Sequence, residues 1–342
     1  MAYTTIKKPS DYFNTKLYTG NGSTQSITGV GFQPDWTIIK GRNATNSHNV
    51  YDAVRSAGKT IVTDANYAES TDTARLTSFD SDGFSLGSNN NVNENSINFV
   101  SWNWLANGTG VSNTDGSITS TVSANTISGF SIVSYTGTGA NATVGHSLGS
   151  VAKMIMVKRR DTSGRWQVYH NSLGATKYLF LDGNEEVQTA SNRWNDTTPT
   201  SSVFSLGSSA EVNASGGTYI AYCFSEVKGF SKFGSYNGNG STDGTFVYTG
   251  FKPAFVIIKR YDASSVRDWF ILDNKRDTEN PVTKNLYTNN SNAEVDSERG
   301  DFLSNGFKLT TSSGGSNAVD GTFIYMAFAE EPLVGDNPAT AR

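Results

Sequence analysis

Apolar and polar residues alternate with a period of two in short runs, each bounded by clusters of Gly, Asn, Ser and Asp. That pattern predicts half-buried β-strands joined by turns. The clearest runs are "FVSWNW" (99–104), "YIAYCF" (219–224) and "FIYMAF" (323–328). One face of them carries Val100, Trp102 and Trp104, then Ile220, Tyr222 and Phe224, then Ile324, Met326 and Phe328, all apolar or aromatic. The other face is smaller and more mixed, which predicts contact with a neighbouring sheet or partial wetting. No amphipathic helix longer than two turns is expected. The best helical candidate, 65–76, has too few apolar positions.

These runs belong to a threefold repeat, the feature to seek first in any chain. "LYTGNGS" (17–23), "SYTGTGA" (134–140) and "SYNGNGS" (235–241) open three units. Each continues with a strand ending in bases, "DWTIIKGRN", "KMIMVKRRD" or "AFVIIKRYD", and then an aromatic strand. Lys40, Lys158 and Lys259 are separated by 118 and 101 residues, and Trp104, Phe224 and Phe328 by 120 and 104. About 100 residues per unit suits one antiparallel sandwich. The expected fold is all-β, three tandem antiparallel β-sandwich repeats of jelly-roll or concanavalin-like type, with a single intertwined β-domain as the alternative. The expected organisation is an N-terminal arm at 1–16, repeats at 17–106, 129–227 and 228–332, a polar linker with room for a short strand at 107–128, and a tail at 333–342.

Composition narrows the function classes. With 27 basic and 31 acidic residues the net charge is −4, so no basic surface advertises nucleic acid. Gly, Ser, Thr and Asn carry much of the polarity, and aromatics are 12% of the chain, so a packed core is expected. The lone Cys223 sits in a strand pattern and reads as an inert core thiol. The start of the chain has no apolar signal-peptide region and no run reaches membrane-spanning length, so synthesis in a cytoplasm without membrane insertion is expected.

Candidate chemistry reads mostly as structure. Gly137, Gly139 and Ala142 fit G-x-G-x-x-A, a dinucleotide fingerprint. The sister copies do not keep its third position, and no helix-length segment follows, so the shared Gly-x-Gly predicts a type I′ hairpin turn. His48, His146 and His170 form no triad or zinc spacing. The acids Glu185, Glu186, Asp80, Asp82, Glu294, Asp296, Glu298, Glu330 and Glu331 could pair as in a glycosidase, but loop acids are usually solvated. "DSDG" (80–83) weakly resembles a calcium loop that the other copies lack. No catalytic residue, cofactor or metal is therefore expected. The bases Lys40, Arg42, Lys158, Arg159, Arg160, Lys259 and Arg260 predict solvated strand ends or ion pairs within a domain, for instance with Asp52 or Asp273. A contact to an acidic partner or glycan is the functional alternative. Trp194, in the polar loop "SNRWNDTTP", is the expected exposed aromatic. Surface contacts are assigned to Trp194, Arg160, Arg260, Lys7 and Lys8.

The opening "MAYTTIKKPSDYFNTKLYTGNGSTQSITGVGFQPDWTIIKGRN", with "GFKPAFVIIKRYD", "DWFILDNKRD" and "GTFIYMAFAEEP", resembles a family of virion structural proteins of tailed bacteriophages, especially phages of marine bacteria. The resemblance covers nearly the whole chain. The second copy departs from it, with "HSLGSVA" in place of the "GF-P" entry. It implies a non-enzymatic virion protein on the particle exterior: a tail fibre, appendage or head decoration released by host lysis. Its implied partners are capsid, portal or tail proteins, with the arm bearing Lys7 and Lys8 as anchor, and homo-oligomerisation is expected. A carbohydrate-binding adhesin for the host surface is the second expectation, and a polysaccharide depolymerase the third.

Overall fold

The computed structural model describes residues 3–263 and 267–340. Residues 1–2 of the expected arm, 264–266 of the third repeat and 341–342 of the tail lie outside the described residues. The described fold is all-β, with several antiparallel sheets. Its helical segments are one 3₁₀ turn at Pro9–Asp11 and three four-residue helices, α1 (Asn90–Asn93), α2 (Ser191–Trp194) and α3 (Ala210–Asn213).

The first segment contains β1 (Phe13–Thr19), β2 (Gln25–Thr28), β3 (Trp36–Gly41), β4 (Asn49–Asp52), β5 (Lys59–Val62), β6 (Ser70–Thr71), β7 (Leu76–Asp80), β8 (Gly83–Leu86) and β9 (Asn98–Trp104). They form a sheet in the order β1-β9-β3-β4-β5-β6 and a smaller one, β2-β8-β7. The second contains β10 (Val111–Asn113), β11 (Ser120–Asn125), β12 (Phe130–Thr136), β13 (Ala142–Gly145), β14 (Ala152–Arg159), β15 (Gln167–His170), β16 (Lys177–Phe180), β17 (Gln188–Thr189), β18 (Val203–Leu206) and β19 (Thr218–Ser225). Their orders are β10-β11-β12-β19-β14-β15-β16-β17 and β13-β18. The third contains β20 (Ser231–Asn237), β21 (Phe246–Tyr248), β22 (Phe251–Arg260), β23 (Trp269–Asp273), β24 (Val282–Tyr287), β25 (Val295–Leu303), β26 (Gly306–Leu309) and β27 (Thr322–Pro332), in one sheet ordered β20-β27-β22-β23-β24-β25-β26-β21.

The strand order opening–closing–"IIK"–aromatic therefore recurs as β1-β9-β3-β4, β12-β19-β14-β15 and β20-β27-β22-β23. Register makes positions equivalent. Trp36 faces Trp104, Met154 faces Phe224, and Phe255 faces Phe328. Likewise Val50, Val168 and Ile271 correspond on the aromatic strand.

The core does not divide as the repeats do. One buried cluster joins all three segments, drawing in Trp36, Trp102, Trp104, Ile132, Met156, Tyr222, Phe224, Phe255, Met326 and Phe328. Trp36 stacks on Tyr222 at 4.6 Å, Trp104 meets Phe328 edge-on at 5.7 Å, and Phe224 meets Phe328 at 6.0 Å. The nine residues of the strongly apolar face of the closing strands all belong to this cluster. The opposite face is buried too, rather than partly wet. Phe99 packs in a cluster of the first segment, and Tyr219, Ala221 and Cys223 in one of the second. A closing strand apolar on both sides is a strand between two layers. Each tryptophan is 2% exposed or less, and truncating one such side chain typically costs about 3–5 kcal/mol.

Two boundaries differ from expectation. The polar stretch 107–128 contains β10 and β11, and β11 pairs with β12, so it extends the second sheet. Ile118 and Val122 are the apolar residues that hold it down. The N-terminal stretch has core of its own: Ile6 is 1% exposed, and Phe13 starts β1 and contacts Trp104, Phe255 and Phe328. As expected, residues 65–76 form loop and strand, with no helix.

Candidate functional site

The strand-end lysines were expected to be solvated or paired with Asp52 or Asp273. They are buried, and their ammonium groups bond backbone carbonyls. Lys40 donates to Gly41 at 2.7 Å, Ala44 at 2.9 Å and Ser291 at 3.1 Å. Lys158 donates to Gly164 at 2.8 Å, Arg159 at 3.0 Å and Asn66 at 3.3 Å. Lys259 donates to Asn184 at 3.0 Å and to Arg267. In each set one carbonyl belongs to another segment: the first reaches the third, the second the first, and the third the second. The contacts thus close a cycle. Burial lowers all three lysines to about 8.

The neighbouring positions follow the same cycle. The carbonyl two residues after each lysine accepts an amide from the next loop: Arg42 from Glu294 at 2.6 Å, Arg160 from Glu69 at 2.9 Å, and Tyr261 from Val187 at 2.9 Å. Arg160 forks onto Glu69 (2.9 and 3.0 Å), and Arg42 onto Glu294 (3.0 and 2.7 Å). Burial would raise the Glu69 carboxyl, but Arg160 and Arg55 hold it below the usual carboxylate range. Behind these forks, Arg55 binds Asp52 and Arg276 binds Asp273, each at 2.5 Å and without solvent exposure. Asp52 also accepts from Tyr222 at 2.7 Å, and Asp273 from Trp102 at 3.0 Å, again across segments.

The third junction carries none of this charge. Register places His170 where the others have Asp, and three residues on stands Leu173 in place of Arg. Across it, Met326 replaces the donors Trp102 and Tyr222, and Val187 meets Tyr261 where the others pair Glu with Arg. A buried Asp facing Met326 would lack a donor, and an uncompensated buried charge is costly. His170 instead meets the Tyr325 carbonyl at 3.2 Å, and burial lowers it to about 4.

The five residues assigned to surface contact fare as follows. Trp194 is 2% exposed, edge-on to Tyr169 at 6.0 Å, so it is core and not an exposed aromatic. It ends a short helix that turns its indole inward. Arg160 is committed to Glu69 and to Ser134 at 3.2 Å. Arg260 is held within its own segment by Asp262 at 2.7 Å and the Gly314 carbonyl at 3.1 Å. Lys7 and Lys8 are exposed but face Asp336 at 3.9 Å and Asp11 at 2.6 Å. Tyr3 donates to the Gly250 carbonyl at 2.6 Å, and the Asp336 amide to the Lys7 carbonyl at 3.4 Å. The arm expected as an anchor into the particle thus lies against its own chain.

The Gly-x-Gly segments are not hairpin turns either. They carry the chain to a strand that does not pair with the one before: β1 to β2 and β12 to β13 in another sheet, and β20 to β21 at the far edge of the same sheet. Gly139 needs its φ of +79°, and a Cβ on Gly137 would lie 2.4 Å from the Ala214 carbonyl oxygen. The segment wraps a buried asparagine: Asn213 Oδ1 accepts from the Thr138 amide at 2.8 Å, and Nδ2 donates to Ala140 and Gly207 carbonyls. Asn93 and Asn317 do the same for the other copies. The amides of Gly137 and Gly139 go to the Gly217 and Asn213 carbonyls at 2.8 Å each. All three amides are used internally, so none is left to cradle a phosphate. These asparagines escaped sequence reading, although each precedes Trp102, Tyr222 or Met326 by nine residues.

Most of the proposed acids are similarly engaged. Glu185 pairs with Arg165 at 2.6 Å, Asp296 with Lys284, and Glu330 with Lys252 at 2.9 Å. Asp80 accepts from Ser78 and Ser85, and Asp82 from the Gly29 and Gly31 amides. Among the described residues no group of three or more His, Cys, Asp or Glu could hold a metal ion, and no helix is long and apolar enough to cross a membrane. His146 is buried against the Thr200 carbonyl at 3.2 Å. His48 is fully buried, and neither ring nitrogen is bonded. It stands where Trp166 and Trp269 use their indole N–H to reach Val62 at 2.7 Å and Phe180 at 2.9 Å. The shorter ring cannot span the equivalent distance, and a cavity of about 20 Å³ remains beside it.

One groove, of about 410 Å³, lies on the first segment, lined by Asn49, Thr60, Tyr67, Ser70, Arg75 and Asn91. Tyr67 is 67% exposed at its edge. Thr60 is buried, with its hydroxyl beside that of Tyr51. Arg75 is already held by Asp72 at 3.2 Å and Asn49 at 2.8 Å. The loop carrying Tyr67 is fixed on both sides, at Asn66 by Lys158 and the Gly164 amide, and at Glu69 by Arg160. No sequence signal marked this place, because Thr60, Tyr67 and Arg75 are unremarkable until the sheets bring them together.

No curated protein matches the chain. A family model matches residues 8–332, nearly its whole length. The chain belongs to the family described as Domain of unknown function (DUF7483).

Proposed function

We propose that this chain is a non-enzymatic structural protein of the exterior of a tailed-phage particle, a tail fibre, tail appendage or head decoration. Its architecture would be three β-sandwich units closed head to tail around a shared core. The observation that carries this reading is the cycle of buried lysine–carbonyl contacts, with arginine–carboxylate pairs at two of its three junctions. Groups that could have met an outside partner are committed to joining the three segments. Such closure resists local opening, because releasing one unit strips two junctions together. That suits a protein exposed outside a cell after lysis. The resemblance of the opening stretch and the "IIK" strands to virion proteins supports the same reading. Its partners would be capsid, portal or tail proteins, met through the N-terminal arm with its exposed Lys7 and Lys8.

The test is localisation. Purified particles of the phage encoding the chain should contain it in stoichiometric amount, and antibody labelling of intact particles should decorate the outside. Finding it only in the infected-cell lysate, with none in purified particles, would refute the proposal.

A further inference from the structure

The groove of the first segment has counterparts in the other two, and both are filled. Register equates Thr60 with Tyr178 and Asn285, and Asn49 with Gln167 and Phe270. The arginines Arg75, Arg193 and Arg299 correspond as well, since each carbonyl accepts an amide from the strand-end residue Gly87, Gly207 or Thr310. In the second segment the Tyr178 ring occupies the space, 4.7 Å beneath the Arg193 guanidinium. In the third, Arg299 lies 4.4 Å over Phe270 and donates to Asn285 at 2.9 Å. Only where Thr60 and Asn49 stand does the same backbone leave an open, polar groove.

We propose that this groove binds a neutral sugar ring of a glycan. Its chemistry selects that class. The lining offers a hydroxyl from Ser70 and a side-chain amide from Asn91, beside an exposed aromatic ring from Tyr67. Such a set recognises a ligand with alternating hydroxyls and one apolar C–H face, which lies on the aromatic while its edge bonds the polar wall. No carboxylate lines the groove to attract a cation. Its one cation, Arg75, is neutralised by Asp72, which disfavours an anionic ligand as the preferred occupant. The volume of about 410 Å³ falls within the range of small-molecule sites. Anchoring of the loop on both sides of Tyr67 holds the platform in place before binding, which reduces the ordering cost. The site stands on this geometry alone, so it does not depend on where the chain sits in a particle.

The experiment uses the purified full chain and a panel of methyl glycosides of glucose, galactose, mannose, fucose, N-acetylglucosamine and N-acetylgalactosamine. Saturation-transfer NMR reads binding, and titration calorimetry measures any hit. At least one should bind with a Kd of about 0.1–10 mM, the range of a single small site. Thr60→Tyr, which installs the residue of the second segment, should abolish binding. Tyr67→Ala, at an exposed position, should weaken it about tenfold. Circular dichroism and melting temperature establish that each variant is folded. If none of the six sugars binds, or if a hit survives in folded Thr60→Tyr with unchanged affinity, the proposal is overturned. Should Thr60→Tyr fail to fold, an unchanged affinity in Tyr67→Ala overturns it equally.

Discussion

At the scale of single residues, the three strand-end lysines show how far a repeated motif can be read. Their recurrence was visible in the sequence, and so was the possibility of an internal role. Their target was not, because the accepting carbonyls of Ser291, Asn66 and Asn184 come from loops of another segment with no shared sequence. Burial brings these lysines to about 8 from an ordinary 10.5. The unfolded chain therefore binds more protons than the fold between those values, and stability should rise with pH across that window. Urea unfolding should show a higher midpoint at pH 9.5 than at pH 7.5, as the lysines discharge in the fold first. Replacing Lys158 with Met should reduce that slope. A flat or falling profile in the parent protein would show that these ammonium groups are not desolvated. Trp194 is the opposite lesson. Its polar neighbours predicted exposure, yet one helical turn was enough to bury it.

Strands were the most legible elements, because period two survives wherever one face is buried. The stretch 107–128 was legible only as polar, since β10 is three residues long and its partner carries just Val122 and Ser120 inward. The Gly-x-Gly crossings were located correctly by their glycines and assigned to the wrong geometry. What distinguishes a crossing from a hairpin is the asparagine that fills its centre, over 70 residues away in the chain. Asn213→Asp should test this element. It keeps the acceptor for the Thr138 amide and removes the donor to the Ala140 and Gly207 carbonyls, setting a carboxylate against them. A loss of about 2–4 kcal/mol is expected in equilibrium unfolding. A loss below about 0.5 kcal/mol would mean that the crossing is held by its backbone bonds alone.

For the whole molecule, the recurrence of strands was readable and the way the segments share a core was not. The hint lay in the closing strands of the second and third segments, which are apolar or aromatic on both faces. An independent sandwich has one inner face per sheet, whereas these sheets have two buried sides. The segment 129–227 cut out alone would expose Met154, Trp166, Tyr222 and Phe224, all from the shared cluster. It should therefore aggregate or bind a hydrophobic dye, and it should lack a cooperative melting transition. A soluble, sharply melting fragment would restore the picture of separate domains.

The neutral junction gives the ring an addressing scheme. Three units of similar shape could in principle dock in any order. His170 and Leu173 suit the edge that presents Met326, and Asp52 and Asp273 suit edges that offer Tyr222 and Trp102. A unit inserted at the wrong place would bury an unmatched acid, so mismatch is penalised rather than merely unrewarded. If two copies of the chain exchanged a unit, each guest could occupy only the berth of its namesake. Crowded copies, such as those on a particle, would then retain one ordering.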